Sequence, residues 1–110
     1  MERAVFVYTT YPSIVEAEKA GRALIDRKVA ACVNILPGMI SLYRWEGKVE
    51  DAREWLLIVK TTAGAFGEVR EAIAGLHSYD VPECICVAIE DGAPGYLEWI
   101  GESVRTESTG

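Results

Sequence analysis

The stretch "ACVNILPGMISLYRWEGKVEDAREWLLIVKTT", residues 31 to 62, decides the fold because it is typical of one long β-hairpin. A first arm from about residue 30 to 45 lacks a helical period and is rich in residues that suit a pleated surface. A second arm follows from about residue 48 to 62, and Glu46-Gly47 predicts a tight reversal between them. An arm of about sixteen residues reaches roughly 50 Å, whereas a compact chain of this length is only about 35 Å across. We therefore expect the hairpin to overhang its own domain.

Regular elements are predicted on both sides of this hairpin. The segment "VFVYTT", residues 5 to 10, is a short apolar strand, and Ser13-x-x-Glu16 is a capping box for a helix that begins at Ile14. After the hairpin, apolar residues at spacings of three and four predict a helix from about residue 65 to 76. The segment "ECICVAIE", residues 83 to 90, is the last predicted strand, and a short helix over about 95 to 104 follows it.

The predicted order, β-α-β-β-α-β with an added C-terminal helix, indicates an α+β, ferredoxin-like sandwich in a single domain over residues 1–110. In this arrangement two helices cover one face of a four-stranded antiparallel sheet. The segment "WLLIV", residues 55 to 59, is nevertheless apolar on both sides, which is typical of a strand buried on both faces. We therefore expect the second face to contact another subunit and the long hairpin to serve assembly.

Composition excludes several classes of function. The chain of 110 residues carries a net charge of −6, which argues against nucleic acid because phosphate binding needs clustered Lys and Arg. Its apolar runs fall short of the ~20 residues that span a bilayer, so no membrane association is expected. Three cysteines, Cys32, Cys84 and Cys86, are interpreted as reduced thiols of a cytoplasmic protein.

The sequence contains no convincing catalytic set, so we expect a protein that is not an enzyme and needs no obligatory cofactor. His77 is the only histidine, and Walker, G-x-G-x-x-G and C-x-x-C motifs are absent. The segment "HSYDVPE", residues 77 to 83, places His77 near Glu83 as candidate ligands for Cu²⁺ or Zn²⁺. The alternative is that His77 only caps the preceding helix. Lys60 lies in an otherwise apolar strand and needs an anion or a carboxylate, for which Glu83 is a candidate.

Several short motifs occur in a specific order over most of the chain. They are "VAACVN" at 29 to 34, Pro37-Gly38, "YRWEGKVE" at 43 to 50, Lys60-Thr61, His77, Tyr79, Val81-Pro82-Glu83, Asp91-Gly92, and Tyr96-Leu97 with Trp99. In this order and spacing they resemble the CutA family of divalent-cation tolerance proteins.

The resemblance implies a ferredoxin-like subunit in a homotrimer whose long strands join neighbouring sheets. It also implies a cytoplasmic role in the response to metal ions, with copper and other divalent ions as ligands and no established catalytic activity. The copper site described in the family uses a cysteine at the end of the first strand and two adjacent histidines. Here Thr9 and Leu76-His77 stand at those places, so only His77 is carried over, and weak binding of copper or another divalent cation is implied.

A second hypothesis is a signalling module similar to the PII proteins, which are ferredoxin-like trimers that bind small anionic effectors between subunits. The residues expected to line such a ligand-binding cleft are Tyr43, Arg44, Lys60, Tyr79, Glu83 and Trp99. A third hypothesis is a purely structural trimer, in which these polar residues only shape the interface.

Overall fold

The computed structural model describes residues 2–105 and contains four strands, three α-helices and one 3-10 turn within them. In chain order they are β1 (Ala4–Tyr11), α1 (Ile14–Asp26), β2 (Cys32–Trp45), β3 (Lys48–Thr62), a 3-10 turn (Ala63–Ala65), α2 (Phe66–Gly75), β4 (Ile85–Ala88) and α3 (Pro94–Ser103). The strands form one antiparallel sheet in the order β2-β3-β1-β4. This is the predicted α+β, ferredoxin-like arrangement with an added C-terminal helix.

Helices α1 and α2 cover one face of the sheet and form the core with it. The fully buried side chains come from the sheet and from both helices: Val7 and Val59 from the strands, Leu24 from α1, and Val69 and Ile73 from α2. These strand residues alternate with half-buried ones that point to the opposite face, as the pleat of a strand requires.

The predicted capping box at the start of α1 is only half formed. The amide of Glu16 donates to Ser13 Oγ at 3.2 Å, so the N-cap is present. The Glu16 carboxylate does not accept from the backbone amide of Ser13, as a complete capping box requires. It accepts instead from both the amide and the hydroxyl of Ser78 at 3.1 Å. The same carboxylate therefore ties α1 to the loop that follows α2.

Strand β4 is shorter than the predicted strand over residues 83 to 90. Its pairing with β1 ends at Tyr8, which lies opposite Ile85. Further along β1, the carbonyl oxygen of Thr10 accepts a hydrogen bond from the side chain of His77 instead of from a strand. The loop before β4 thus takes the place that a longer β4 would occupy.

An extra residue in β2 shapes the long hairpin. Leu36 pairs with Leu56, and the next pair along the hairpin is Met39 with Glu54. Pro37 and Gly38 together therefore lie opposite the single residue Trp55. Gly38 has a φ of 78°, a left-handed conformation that side chains other than glycine adopt at a cost. At the far end, Glu46 (φ 50°) and Gly47 (φ 79°) confirm the predicted tight reversal, with the two positive φ angles of a type I′ turn.

The part of the hairpin beyond this bulge, residues 39–54, is here called the distal hairpin. It overhangs the sheet because β1 pairs with β3 only as far as Trp55. The protein is accordingly elongated, with extents of 45 × 27 × 22 Å, which confirms the predicted overhang. Its exposed large apolar side chains are Ile40, Leu42, Tyr43, Trp45 and Val49.

The sheet face opposite α1 and α2 is only partly covered. Leu36, Ile85 and Val87 are exposed on it, whereas α3 packs against β3 and β1 at one end. There Lys60 Nζ lies 5.4 Å from the centroid of the Tyr96 ring. Among residues 2–105, no helix is long and apolar enough to cross a membrane.

The predicted pairing of Lys60 with Glu83 was wrong. Lys60 lies opposite Phe6 of β1 on one side and Cys32 of β2 on the other, near the end of β3. Glu83 precedes β4, beyond the other end of the β1–β4 pairing, and forms no ion pair with Lys60. The lysine instead uses the ring face of Tyr96 as its partner.

Gly38→Ala should lower the free energy of unfolding by about 1 kcal/mol, because alanine at a φ of 78° is strained even though no atom lies within 4 Å of its Cβ position. Gly67→Ala is the matched control: its Cβ position is also open, but it lies inside α2, where alanine should stabilise by up to about 1 kcal/mol. Urea denaturation at equal protein concentration measures both. Equal effects of the two substitutions would contradict the left-handed bulge.

Candidate ligand groove

A groove of about 600 Å³ opens where β1 ends, between the distal hairpin and the loop that joins α2 to β4 (residues 76–84, the α2–β4 loop). Its lining is of three kinds. The aromatic residues are Tyr43, Trp45 and Tyr79, the acidic ones are Glu54, Asp80 and Glu83, and the remainder are Thr10, Ser41, Leu42, Ala52 and Val81.

Glu54 is the most deeply buried charged residue of the groove, with 9% of its surface exposed. Ser41 Oγ donates to its Oε1 at 2.5 Å, and the Tyr79 hydroxyl donates to its Oε2 at 2.9 Å. The carboxylate therefore joins both strands of the hairpin to the α2–β4 loop. Sequence reasoning missed Glu54. The available signal was an acidic residue directly before the apolar run of residues 55 to 59.

His77 is held by the backbone at both ring nitrogens. Nε2 lies 2.5 Å from the Thr10 carbonyl oxygen, which can only accept, so Nε2 carries the proton. Nδ1 accepts from the amide of Tyr79 at 3.1 Å. The ring also stacks on Tyr11 with centroids 4.2 Å apart. The interpretation of His77 as a helix cap was wrong, because its ring donates to β1, the neighbouring strand, and not to α2.

This arrangement bears directly on the predicted metal pair of His77 and Glu83. A metal ligand needs a free lone pair, and here the Nδ1 lone pair is used while Nε2 is protonated. Within residues 2–105, no three His, Cys, Asp or Glu side chains are close enough together to hold a metal ion. Thr9, at the place of the family's cysteine, is fully buried. Metal binding by His77 therefore requires the α2–β4 loop to give up one of its hydrogen bonds.

Two phenols near the groove are strongly biased toward the neutral form. The pKa of Tyr79 is raised to about 12, first by burial and then by its hydrogen bond to Glu54. The pKa of Tyr11 is also raised to about 12, by burial and by the charge of Glu16. The Tyr79 phenol thus stays protonated at neutral pH and donates to the Glu54 carboxylate.

Of the six residues predicted to line a cleft, the structure brings Tyr43, Tyr79 and Glu83 together in the groove. Arg44 lies between Tyr43 and Trp45 on β2, so the alternation of a strand directs it to the opposite face. Lys60 and Trp99 form a separate cluster with Tyr96, whose ring centroid lies 5.5 Å from that of Trp99.

The resulting charge of the groove is the opposite of what an anionic effector needs. Three carboxylates line it, and neither of the two predicted cations, Arg44 and Lys60, does. Every charged side chain in the lining is acidic, so the groove of this subunit favours cations.

Tyr79→Phe should remove one late-titrating phenol. A raised pKa stabilises the folded protein fully below about pH 10, and this contribution is lost as the pH rises through about 12. Absorbance at 295 nm, followed from pH 8 to 13 with circular dichroism as a check of folding, should show a smaller late-ionising component in the variant than in the parent. Tyr11→Phe should likewise remove the late ionisation of the Tyr11 phenol. An unchanged late-ionising component in Tyr79→Phe would contradict the raised pKa of Tyr79.

Comparison with known proteins finds one family whose sequences match this chain over most of its length. A family model described as CutA1 divalent ion tolerance protein matches residues 5–103. The divalent-cation tolerance protein CutA of Archaeoglobus fulgidus is 48% identical over 101 residues, which make up 91% of this chain and 97% of that relative.

Solved structures agree with the sequence comparison. The divalent cation tolerance protein Cut A1 of Thermus thermophilus superposes with a TM-score of 0.91 at 42% identity, covering 93% of this chain and 99% of the other. A structure described as the periplasmic divalent cation tolerance protein CutA of Archaeoglobus fulgidus gives a TM-score of 0.89 at 44% identity, with the same coverage. The family model spans nearly the whole chain and the three relatives named here are similar over nearly their full length, so this chain belongs to the CutA1 divalent ion tolerance protein family.

Proposed function

We propose that the protein is a trimeric, cytoplasmic member of the divalent-cation tolerance family that takes part in the response to metal ions, binds divalent cations weakly and has no catalytic activity. The observation that carries the proposal is family membership together with a groove whose charged lining is entirely acidic. Oxygen donors of this kind suit divalent cations.

Weak binding is the expected strength because the ligand set is incomplete. His77 donates and accepts backbone hydrogen bonds at its two nitrogens, and Glu54 already accepts from two hydroxyls. Asp80 and Glu83 are exposed and remain the accessible carboxylates of the groove. Two exposed carboxylates leave most of a cation's coordination to water.

A binding role is also favoured over a catalytic one by the state of His77. A general base needs an accessible lone pair near the proton that it abstracts. The Nδ1 lone pair of His77 is occupied by the Tyr79 amide, and the ring lies between Tyr11 and Tyr79.

The trimer is supported by the apolar surface that one subunit leaves exposed. Trp45 is 61% exposed at the end of the distal hairpin, and Leu42 and Val49 are 72% and 68% exposed. The uncovered sheet face adds Leu36, Ile85 and Val87. Large apolar side chains exposed together on one surface are typical of protein interfaces, and obligate interfaces bury more than about 2,000 Å².

The proposed location rests on the thiols. Cys32, Cys84 and Cys86 are all free, and burial raises the pKa of the Cys84 thiol, which lowers its reactivity. Free thiols are typical of a reducing compartment. The location proposed here differs from the periplasmic description of the Archaeoglobus structure, and cell fractionation with an antibody to this protein separates the two.

Sedimentation equilibrium at low micromolar concentration should give about three times the 12.1 kDa chain mass. Trp45→Ala should make the melting temperature depend strongly on protein concentration, because it weakens association. Val15→Ala is the matched control, since Val15 is 74% exposed on α1, outside the distal hairpin and the uncovered sheet face. A well-folded monomer in the parent would overturn the trimer, and identical behaviour of the two variants would remove Trp45 from the interface.

Calorimetric titration should show that Cu²⁺ binds with a dissociation constant of about 1 µM or weaker, ahead of Zn²⁺ in the usual order of divalent affinities. Glu83→Gln should weaken binding more than His77→Ala, because the Glu83 carboxylate is accessible and the imidazole is not. Glu71→Gln, an exposed change on α2, controls for net charge. Nanomolar binding that is lost only in His77→Ala would refute the assignment to the groove carboxylates.

A further inference from the structure

A pair of cysteines at the start of β4 takes no part in the acidic groove. Cys84 directly precedes β4, Cys86 is its second residue, and both thiols are free. Cys86 pairs with Val7, which is fully buried under the helices, and Cys84 packs against the core cluster that contains Val7. Both side chains therefore lie on the helix side of the sheet, as residues two apart on a strand should.

This placement does not depend on how the subunits assemble. Ile85 and Val87 alternate with the two cysteines and lie on the uncovered sheet face, which together with the distal hairpin is the surface assigned to other copies of the chain. The position of the two thiols follows from the register of β4 on β1 within one subunit. The pair is therefore the same in a monomer and in a trimer.

The spacing of the pair favours a bridging metal ion over a disulfide. Cα atoms two residues apart on a strand are separated by about 6.6 Å, whereas disulfides most often join Cα atoms about 5.5 to 6 Å apart. A metal–sulfur bond is about 2.3 Å long, so an ion between two sulfurs holds them about 4.6 Å apart. Side chains on one face of a strand can span that distance without movement of the backbone.

The number of ligands selects the type of ion. Within residues 2–105, no group of three His, Cys, Asp or Glu side chains could hold a metal, so an ion that needs four protein ligands, such as structural Zn²⁺, is not served. Cu(I) is a soft ion that prefers thiolates and accepts linear coordination by two of them. Cys84 and Cys86 supply that pair.

Two buried hydroxyls beside Cys84 provide an independent observation. Thr9 and Tyr11 are fully buried, and neither hydroxyl oxygen has a hydrogen-bond partner within residues 2–105. Continuing the β1–β4 register by one residue places Thr9 beside Cys84. Tyr11 is also near, because burial, the charge of Glu16 and the charge of Cys84 together raise the pKa of Tyr11 to about 12. A thiol is a weak acceptor, whereas a metal-bound thiolate carries charge and accepts strongly, so it would satisfy these donors.

Arg70 of α2 is placed to offset the charge of such a site. Two thiolates with one monovalent ion carry a net charge of −1. Burial raises the pKa of the Cys84 thiol, and the guanidinium of Arg70 is close enough to oppose that rise. The same guanidinium lies 5.7 Å from the centroid of the Phe66 ring, which helps to hold it in position.

We propose that Cys84 and Cys86 bind one Cu(I) ion between their sulfurs, with the hydroxyls of Thr9 and Tyr11 donating to the Cys84 thiolate. Each thiol releases its proton on binding, and the oxidation state of the metal does not change. The site is separate from the groove carboxylates that suit divalent cations. Its failure and the failure of the proposed divalent binding are therefore separate results.

The test offers Cu(I) to the intact protein without oxygen, with a thiol-free reductant and a chromophoric Cu(I) chelator as competitor. One ion per chain should bind with a dissociation constant below about 1 nM, and X-ray absorption should find two sulfur neighbours. Cys86→Ser should weaken binding by at least about a hundredfold, because one of two ligands is lost. Cys32→Ser is the matched control, since Cys32 pairs with Lys60 on the other sheet face and should not affect binding. No competition with the chelator by the parent, or equal losses in the two variants, overturns the proposal.

Thr9→Val separates a role in metal binding from a role in packing. It removes the unpartnered hydroxyl with little change of shape, so the metal-free variant should unfold at a higher urea concentration than the parent. The same change should weaken Cu(I) binding by about tenfold, because the thiolate loses a donor. A general loss of packing would lower both quantities. Cu(I) affinity equal to the parent in Thr9→Val contradicts the assigned hydrogen bond.

Discussion

The structure depends on one extra residue in β2, where Pro37 and Gly38 together lie opposite Trp55. Side chains of a strand alternate between two faces, so a shift of one residue would move every later side chain of β2 to the other side of the sheet. With the extra residue, Ser41 lies on the same face as Glu54 and reaches it at 2.5 Å. Tyr43 and Trp45 then follow at steps of two and line the same groove.

Strand β3 connects this groove to the core. Its first part carries Glu54 in the overhanging ribbon, and its second part carries Leu57 and Val59, both fully buried under the helices. The α2–β4 loop closes the groove from the other side and is tied down by three contacts, from Ser78 to Glu16, from His77 to Thr10 and from Tyr79 to Glu54. The groove is thus held between a strand continuous with the core and a loop with several anchors, which preorganises it for binding.

The order of elements and the turn at Glu46-Gly47 could be predicted from the sequence because they depend on local patterns. The shortened β4 and the partner of Lys60 could not, because both depend on strand register, which is a long-range property. Tyr43 and Tyr79, which the sequence placed in a ligand cleft between subunits, line one groove of a single subunit. It misplaced Arg44 because neighbouring residues were assigned to one site without regard to the alternation of a strand.

The place of Glu54 in the groove also could not be predicted from the sequence, because it too depends on long-range contacts. Its neighbours along the chain, Arg53 and Trp55, do not indicate a functional carboxylate. Only the register across the bulge and the position of Tyr79 reveal a buried acid with two hydroxyl donors. The second hypothesis from the sequence, a cleft for a small anionic effector, did not anticipate that the folded groove has an acidic lining.

The distal hairpin, residues 39–54, extends past the sheet and exposes large apolar side chains, and the proposed assembly requires further copies of the chain to cover it. An isolated two-stranded ribbon is only marginally stable in water, so its amides report directly on whether it is covered. Amide hydrogen exchange at micromolar concentration should therefore show residues 40 to 45 of β2 protected to a degree similar to Val59 in the core. Rapid, nearly unprotected exchange of those amides beside a protected Val59 would contradict the claim.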